Sequence, residues 1–131
     1  MLVATWNVNS ILARVPNVVR WLDAVKPDVL CMQEIKCTDD KFPTEVFLER
    51  GYQCQIFGQQ TYNGVAVLTR ESCPVGHRGY PGDEEGAQSR LIATTVNGIN
   101  IVDVYVPNGQ MVGSEKYAFK LELEYGGLDR A

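Results

Sequence analysis

An amide and a carboxylate stand at the ends of two short apolar runs near the start of the chain. Leu2-Val3-Ala4-Thr5-Trp6 runs into Asn7-Val8-Asn9, and Val29-Leu30-Cys31-Met32 runs into Gln33-Glu34-Ile35-Lys36. Open α/β sheets gather their ligand sites at the carboxyl ends of neighbouring strands. Asn7 and Glu34 brought together there offer hard oxygen donors, the kind that suit Mg2+ or Mn2+. A carboxylate just after a buried strand is costly unless it is paired or metal-bound.

The elements that must position these residues follow from periodicity and breakers. Residues 2–8 read as a strand, and Asn9-Ser10 supplies cap chemistry for a helix over 11–25. Ile11, Val15, Val18, Val19, Leu22 and Val25 form one apolar stripe on that helix, and Pro27 stops it. Asp28 leads into a second strand through Met32, so the unit is strand–helix–strand and closes as a parallel crossover. A loop over 36–43 precedes a short helix from Pro43-Thr44 to Arg50-Gly51. Strands over 52–57 and 64–69 come next, joined by a polar turn at 58–63. The Gly/Pro-rich stretch 74–88 reads as an exposed loop that includes His77. Residues 90–97 and 99–106 read as a hairpin turned at Asn97-Gly98. A helical pattern over 114–125 is broken by Gly126-Gly127.

Six strands and two or three helices predict an α/β domain with a mixed six-stranded sheet. Runs such as Val65-Ala66-Val67-Leu68 are apolar on both faces, and both faces then want cover. The helices suffice for one face only. The expectation is therefore an uncovered apolar face, with self-association or marginal stability as its consequence.

At 131 residues and 45% hydrophobic content, the chain fits one domain. A formal charge of -4 argues against non-specific coating of nucleic acid, yet a metal-dependent nuclease needs only a local basic rim. No apolar run approaches the roughly 20 residues of a membrane span, and the first residues carry no signal-peptide pattern. The four cysteines form no C-x-x-C pair and His77 is the single histidine, so a zinc site is not expected. Nothing in this usage asks for an oxidising compartment, and the expected location is the cytoplasm.

One ordered set of segments carries more. Thr5-Trp6-Asn7-Val8-Asn9, Gln33-Glu34-Ile35-Lys36, Asn63-Gly64-Val65-Ala66-Val67-Leu68 and Val104-Tyr105-Val106-Pro107-Asn108-Gly109 follow one another as in a known family. The chain resembles the exonuclease III family of apurinic/apyrimidinic endonucleases, within the endonuclease/exonuclease/phosphatase group, from residue 2 to about residue 121. The resemblance implies that Glu34 binds a catalytic Mg2+ or Mn2+, with Asn7 helping to position metal and phosphate. It implies that Tyr105 lies near the scissile phosphate, where a phenol can donate to a developing oxyanion or assist proton transfer. It also implies DNA-facing roles for Lys36, Tyr62, Asn63 and Arg90. The substrate it implies is double-stranded DNA with abasic sites or 3′ ends.

Two segments of that family are missing. Neither G-D-x-N, which orients the attacking water, nor the terminal S-D-H occurs in the chain. Members of the family are about twice as long, with two similar halves stacked sheet on sheet in a four-layer α/β-β/α sandwich. Residues 1–131 resemble the N-terminal half alone, an incomplete domain. The expectation is a truncated or interrupted product with little activity by itself. The rival expectations are a catalytically dead half-domain that binds DNA or a partner, and a phosphoesterase of the same fold group.

Overall fold

The computed structural model describes residues 1–73, 76–79 and 89–106. Strand β1 (Val3–Asn7), helix α1 (Ile11–Val25) and strand β2 (Val29–Gln33) form the expected strand–helix–strand unit. β1 and β2 pair in parallel, with Asn7 opposite Gln33. A short 3-10 turn (Asp39–Lys41), helix α2 (Thr44–Leu48) and strands β3 (Gln53–Phe57) and β4 (Val65–Thr69) follow. β4 lies antiparallel between β2 and β3, which gives a mixed four-stranded sheet in the order β1-β2-β4-β3.

The remaining strands form a second sheet. β5 (His77–Arg78), β6 (Leu91–Val96) and β7 (Ile99–Val104) are ordered β5-β6-β7. His77 therefore sits on a short strand paired with Ala93 rather than in the exposed loop expected of it. Asn97 (φ 51°) and Gly98 (φ 77°) turn the β6–β7 hairpin, both left-handed as that tight turn requires. The helical pattern expected over 114–125 and the segment Pro107-Asn108-Gly109 lie outside the described residues.

Alternation along the strands explains why there are two sheets. Leu30, Met32, Ala66 and Leu68 face α1 and α2, packing with Ile11, Val18, Leu22 and Phe47. The residues between them, Val29, Cys31, Val65 and Val67, face the other way and pack with Ile92, Val96 and Ile101 of the hairpin. A strand buried on both sides reads as a continuous apolar run, and here each side has its own cover. The chain thus encodes part of the second layer that the sequence reading expected it to lack, and the strands divide between two stacked sheets. The stacking stops short of β1, whose burial alternates only between exposed and half-buried. Between β1 and β7 an open trough of about 460 Å3 remains, lined in part by Val3, Thr5, Ile101 and Asp103. Among the described residues no helix is long and apolar enough to cross a membrane.

Candidate active site

The backbone after β2 is held from both sides. Val8 N donates to Gln33 O (3.0 Å), Ser10 N to Glu34 O (2.8 Å) and Ile11 N to Ile35 O (3.1 Å). On the opposite side Ile35 N donates to Gly64 O (3.1 Å) and Lys36 N to Asn63 O (3.0 Å). This clamp sustains left-handed conformations at Glu34 (φ 54°) and Lys36 (φ 56°), which cost non-glycine residues on the order of 1–3 kcal/mol each. Such backbone persists only where its surroundings over-determine it, and it aims both side chains to one spot.

Four side chains meet there. Asn7 Nδ2 donates to Glu34 Oε1 at 2.8 Å, and Asn9 N donates to Asn7 Oδ1 at 3.1 Å, which fixes the amide's orientation. Lys36 Nζ lies 3.4 Å from Glu34 Oε2 and donates to Asn9 Oδ1 at 2.6 Å. The Tyr105 hydroxyl stands close enough to the Glu34 carboxylate for each to influence the other's ionisation. The Asn7 bond, aided by Lys36 and Tyr105, holds the Glu34 carboxyl below the usual range despite partial burial. Burial, with the Glu34 charge beside it, pushes the Tyr105 phenol upward. At neutral pH the pair is therefore a carboxylate facing a protonated phenol.

Asn7, Glu34, Lys36 and Tyr105 thus converge, although they come from three strand ends. Arg90 joins them through Tyr105, whose N–H donates to Arg90 O at 2.8 Å. Arg90 Nε is buried and has no hydrogen-bond partner among the described residues. Tyr62 stands 67% exposed on its loop. Asn63 lies beside the clamp. It is 7% exposed and its Nδ2 donates to Gln59 Oε1 at 3.2 Å, while its left-handed backbone (φ 56°) offers the carbonyl that accepts from Lys36 N. Ser10 occupies the N-cap position of α1 but makes no side-chain cap bond, and Asn9 holds Lys36 instead. The expected capping by Asn9 or Ser10 is replaced by a role in the site.

Asn7 turns its oxygen to Asn9 and its nitrogen to Glu34, so it orients the carboxylate. Among the described residues no three His, Cys, Asp or Glu side chains cluster. Mg2+ commonly takes one or two carboxylates and keeps waters that substrate phosphates replace, so a lone, ionised Glu34 fits it. Two further residues went unnoticed in the sequence. Gln33 Nε2 donates to Asp103 Oδ1 (2.7 Å) and to Thr5 Oγ1 (2.8 Å), and Asp103 is 1% exposed. The available signal was an acid at an inward-facing strand position, two residues after Ile101.

Residues 4–129 match the model of the Endonuclease/Exonuclease/phosphatase family. The chain belongs to that family. It is 34% identical over 130 residues to exodeoxyribonuclease III of Haemophilus influenzae, covering 96% of this chain and 49% of that protein. Among solved structures it resembles an AP endonuclease from Archaeoglobus fulgidus, with 40% identity and a TM-score of 0.81 over 100% of this chain and 52% of that one. The 3′ phosphatase NExo from Neisseria, solved bound to a product DNA hairpin, is 39% identical with a TM-score of 0.80, covering 99% and 50%. The chain spans about half the length of the relatives it matches. Within the family it thus stands beside the exonuclease III and AP-endonuclease nucleases.

Proposed function

We propose that this chain carries one half of a divalent-metal-dependent DNA nuclease site that acts on phosphodiesters at abasic sites and 3′ ends. The observation that supports it best is the convergence of Asn7, Glu34 and Tyr105, from three strand ends, on one carboxylate. Mg2+ or Mn2+ would be held by Glu34, and when bound it neutralises charge on the phosphate and the leaving oxygen. Asn7 holds Glu34 in place, and Lys36 balances its charge. Tyr105, kept protonated, can donate its hydroxyl proton to a phosphate oxygen. The half-buried Arg90, whose charge lies beside Tyr105, and the exposed Tyr62 suit phosphate and groove contacts.

The same reading makes the chain a weak catalyst by itself. No G-D-x-N or S-D-H segment is available to align the water or to supply an Asp–His pair, and charge neutralisation without those groups leaves much of the barrier standing. The absence of those segments from residues 1–131 also favours a second reading, in which these residues bind DNA or a complementary chain without cutting. The trough between β1 and β7 is where we place self-association or the complementary half.

Incubation with an abasic-site duplex and Mg2+ tests the first reading. Incision abolished by Glu34→Ala supports the nuclease, whereas binding without incision supports the half-domain. Incision that Glu34→Ala leaves intact overturns the site assignment.

A further inference from the structure

Glu34 and Tyr105 belong to different sheets, one following β2 and the other following β7. The sheets are stacked through Val29, Cys31, Val65, Val67, Ile92, Val96 and Ile101. Apolar face packing is non-directional. A directional link crosses the interface immediately before both residues. Gln33 Nε2 donates to Asp103 Oδ1 at 2.7 Å, and the same amide is tied to Thr5 Oγ1 at 2.8 Å. Gln33 directly precedes Glu34, and Asp103 lies two residues before Tyr105. Asp103 is 1% exposed among apolar neighbours, where an aliphatic residue would pack at lower cost. Its second oxygen, Oδ2, is buried without a partner among the described residues. A buried polar contact kept at such a cost is best attested as a device that fixes register.

We propose that Gln33 and Asp103 are positioning residues, a strut that fixes the β6–β7 hairpin on the four-stranded sheet and so brings the Tyr105 hydroxyl to Glu34. The strut acts through these two residues and touches no reacting atom. Thr5 completes it by holding the Gln33 amide so that its other N–H points across the interface. The proposal rests on the reading that Glu34 and Tyr105 work together, but its test measures their proximity and not cleavage.

The experiment is fluorine NMR on the full chain labelled with 3-fluorotyrosine. The Tyr105 signal is identified among the six tyrosines by its loss in Tyr105→Phe. In the parent protein Glu34→Gln must shift that signal, because the carboxylate's charge acts on the phenol. In Asp103→Leu and in Gln33→Leu the shift produced by Glu34→Gln should fall at least fivefold, while Asp103→Asn, which keeps an acceptor for Gln33, should retain it. A shift undiminished in either folded leucine variant overturns the strut and leaves only a contribution to stability. If neither leucine variant folds, the exchanged pair Gln33→Glu/Asp103→Asn decides. It reverses donor and acceptor, so it must restore a response that Gln33→Glu alone loses, and failure to restore it refutes the proposal. Absence of nuclease activity leaves these outcomes unaffected.

Discussion

The charge states in this molecule are set by a few contacts around single residues. Glu34 is kept ionised by an amide, an ammonium and a phenol, whereas Asp103, buried between the sheets, is pushed the other way. Burial raises its carboxyl well above the usual range, against the hydrogen bond from Gln33. The sign of the consequence is fixed by linkage. A folded-state value above the unfolded one means that the native protein holds the extra proton, so stability is fully present below the unfolded value of about 4 and is lost as pH rises toward the folded value. Urea unfolding across this range should show stability falling with pH in the native chain. In Asp103→Asn, which cannot ionise, that slope should flatten, and an unchanged slope would assign it to other groups.

At the scale of elements, the site depends on two turns more than on the strands. Gly64 has φ 88°, and a Cβ there would come within 2.5 Å of Ile35 Cγ1, in the clamp that holds the Glu34 backbone. Gly64→Ala should therefore lower stability by about 1–3 kcal/mol and also weaken Mn2+ binding. Thermal melts and Mn2+ titration followed by electron paramagnetic resonance measure the two effects, and a stability loss with unaltered Mn2+ affinity would separate the clamp from the site. Helix α1 offers the opposite case. Pro16 lies inside it, on an exposed position, where the missing N–H leaves a carbonyl one turn earlier without its helical donor. Pro16→Ala should raise stability by up to about 3 kcal/mol, read as a higher Tm, with no change at Glu34.

Over the whole molecule, the balance lies between the faces that the described residues cover and those they leave open. The hairpin buries the inner face of β2 and β4 but leaves β1 open, with Met1, Leu2 and Val3 about half exposed at 52%, 50% and 44%. Among the described residues β1 and β7 are both edge strands of their sheets, and they border the same trough. The chain should therefore self-associate at high concentration through this trough. Sedimentation velocity should show association in the native chain and a monomer in Val3→Lys, whose charge would sit in the interface. Association that persists unchanged in Val3→Lys would move the contact elsewhere.

Much of this was legible in the sequence, for physical reasons. Period-two and period-3.6 patterns, Pro27 and Asn97-Gly98 determined the strands, the long helix and the hairpin, because they are local backbone and burial preferences. The strand-end placement of Asn7 and Glu34 was legible for the same reason, and the continuous apolar runs correctly demanded two covering layers. Three things required the tertiary structure. Which element covers the second face depends on how the hairpin folds back, a long-range choice that no local pattern carries. That Asn63 is buried beside the clamp and Asn9 serves the site instead of a helix cap depends on neighbours distant in sequence. The pairing of Gln33 with Asp103, 70 residues apart, exists only once two sheets are stacked. Sequence determined which groups are present at the strand ends; packing between the sheets decided which of them touch.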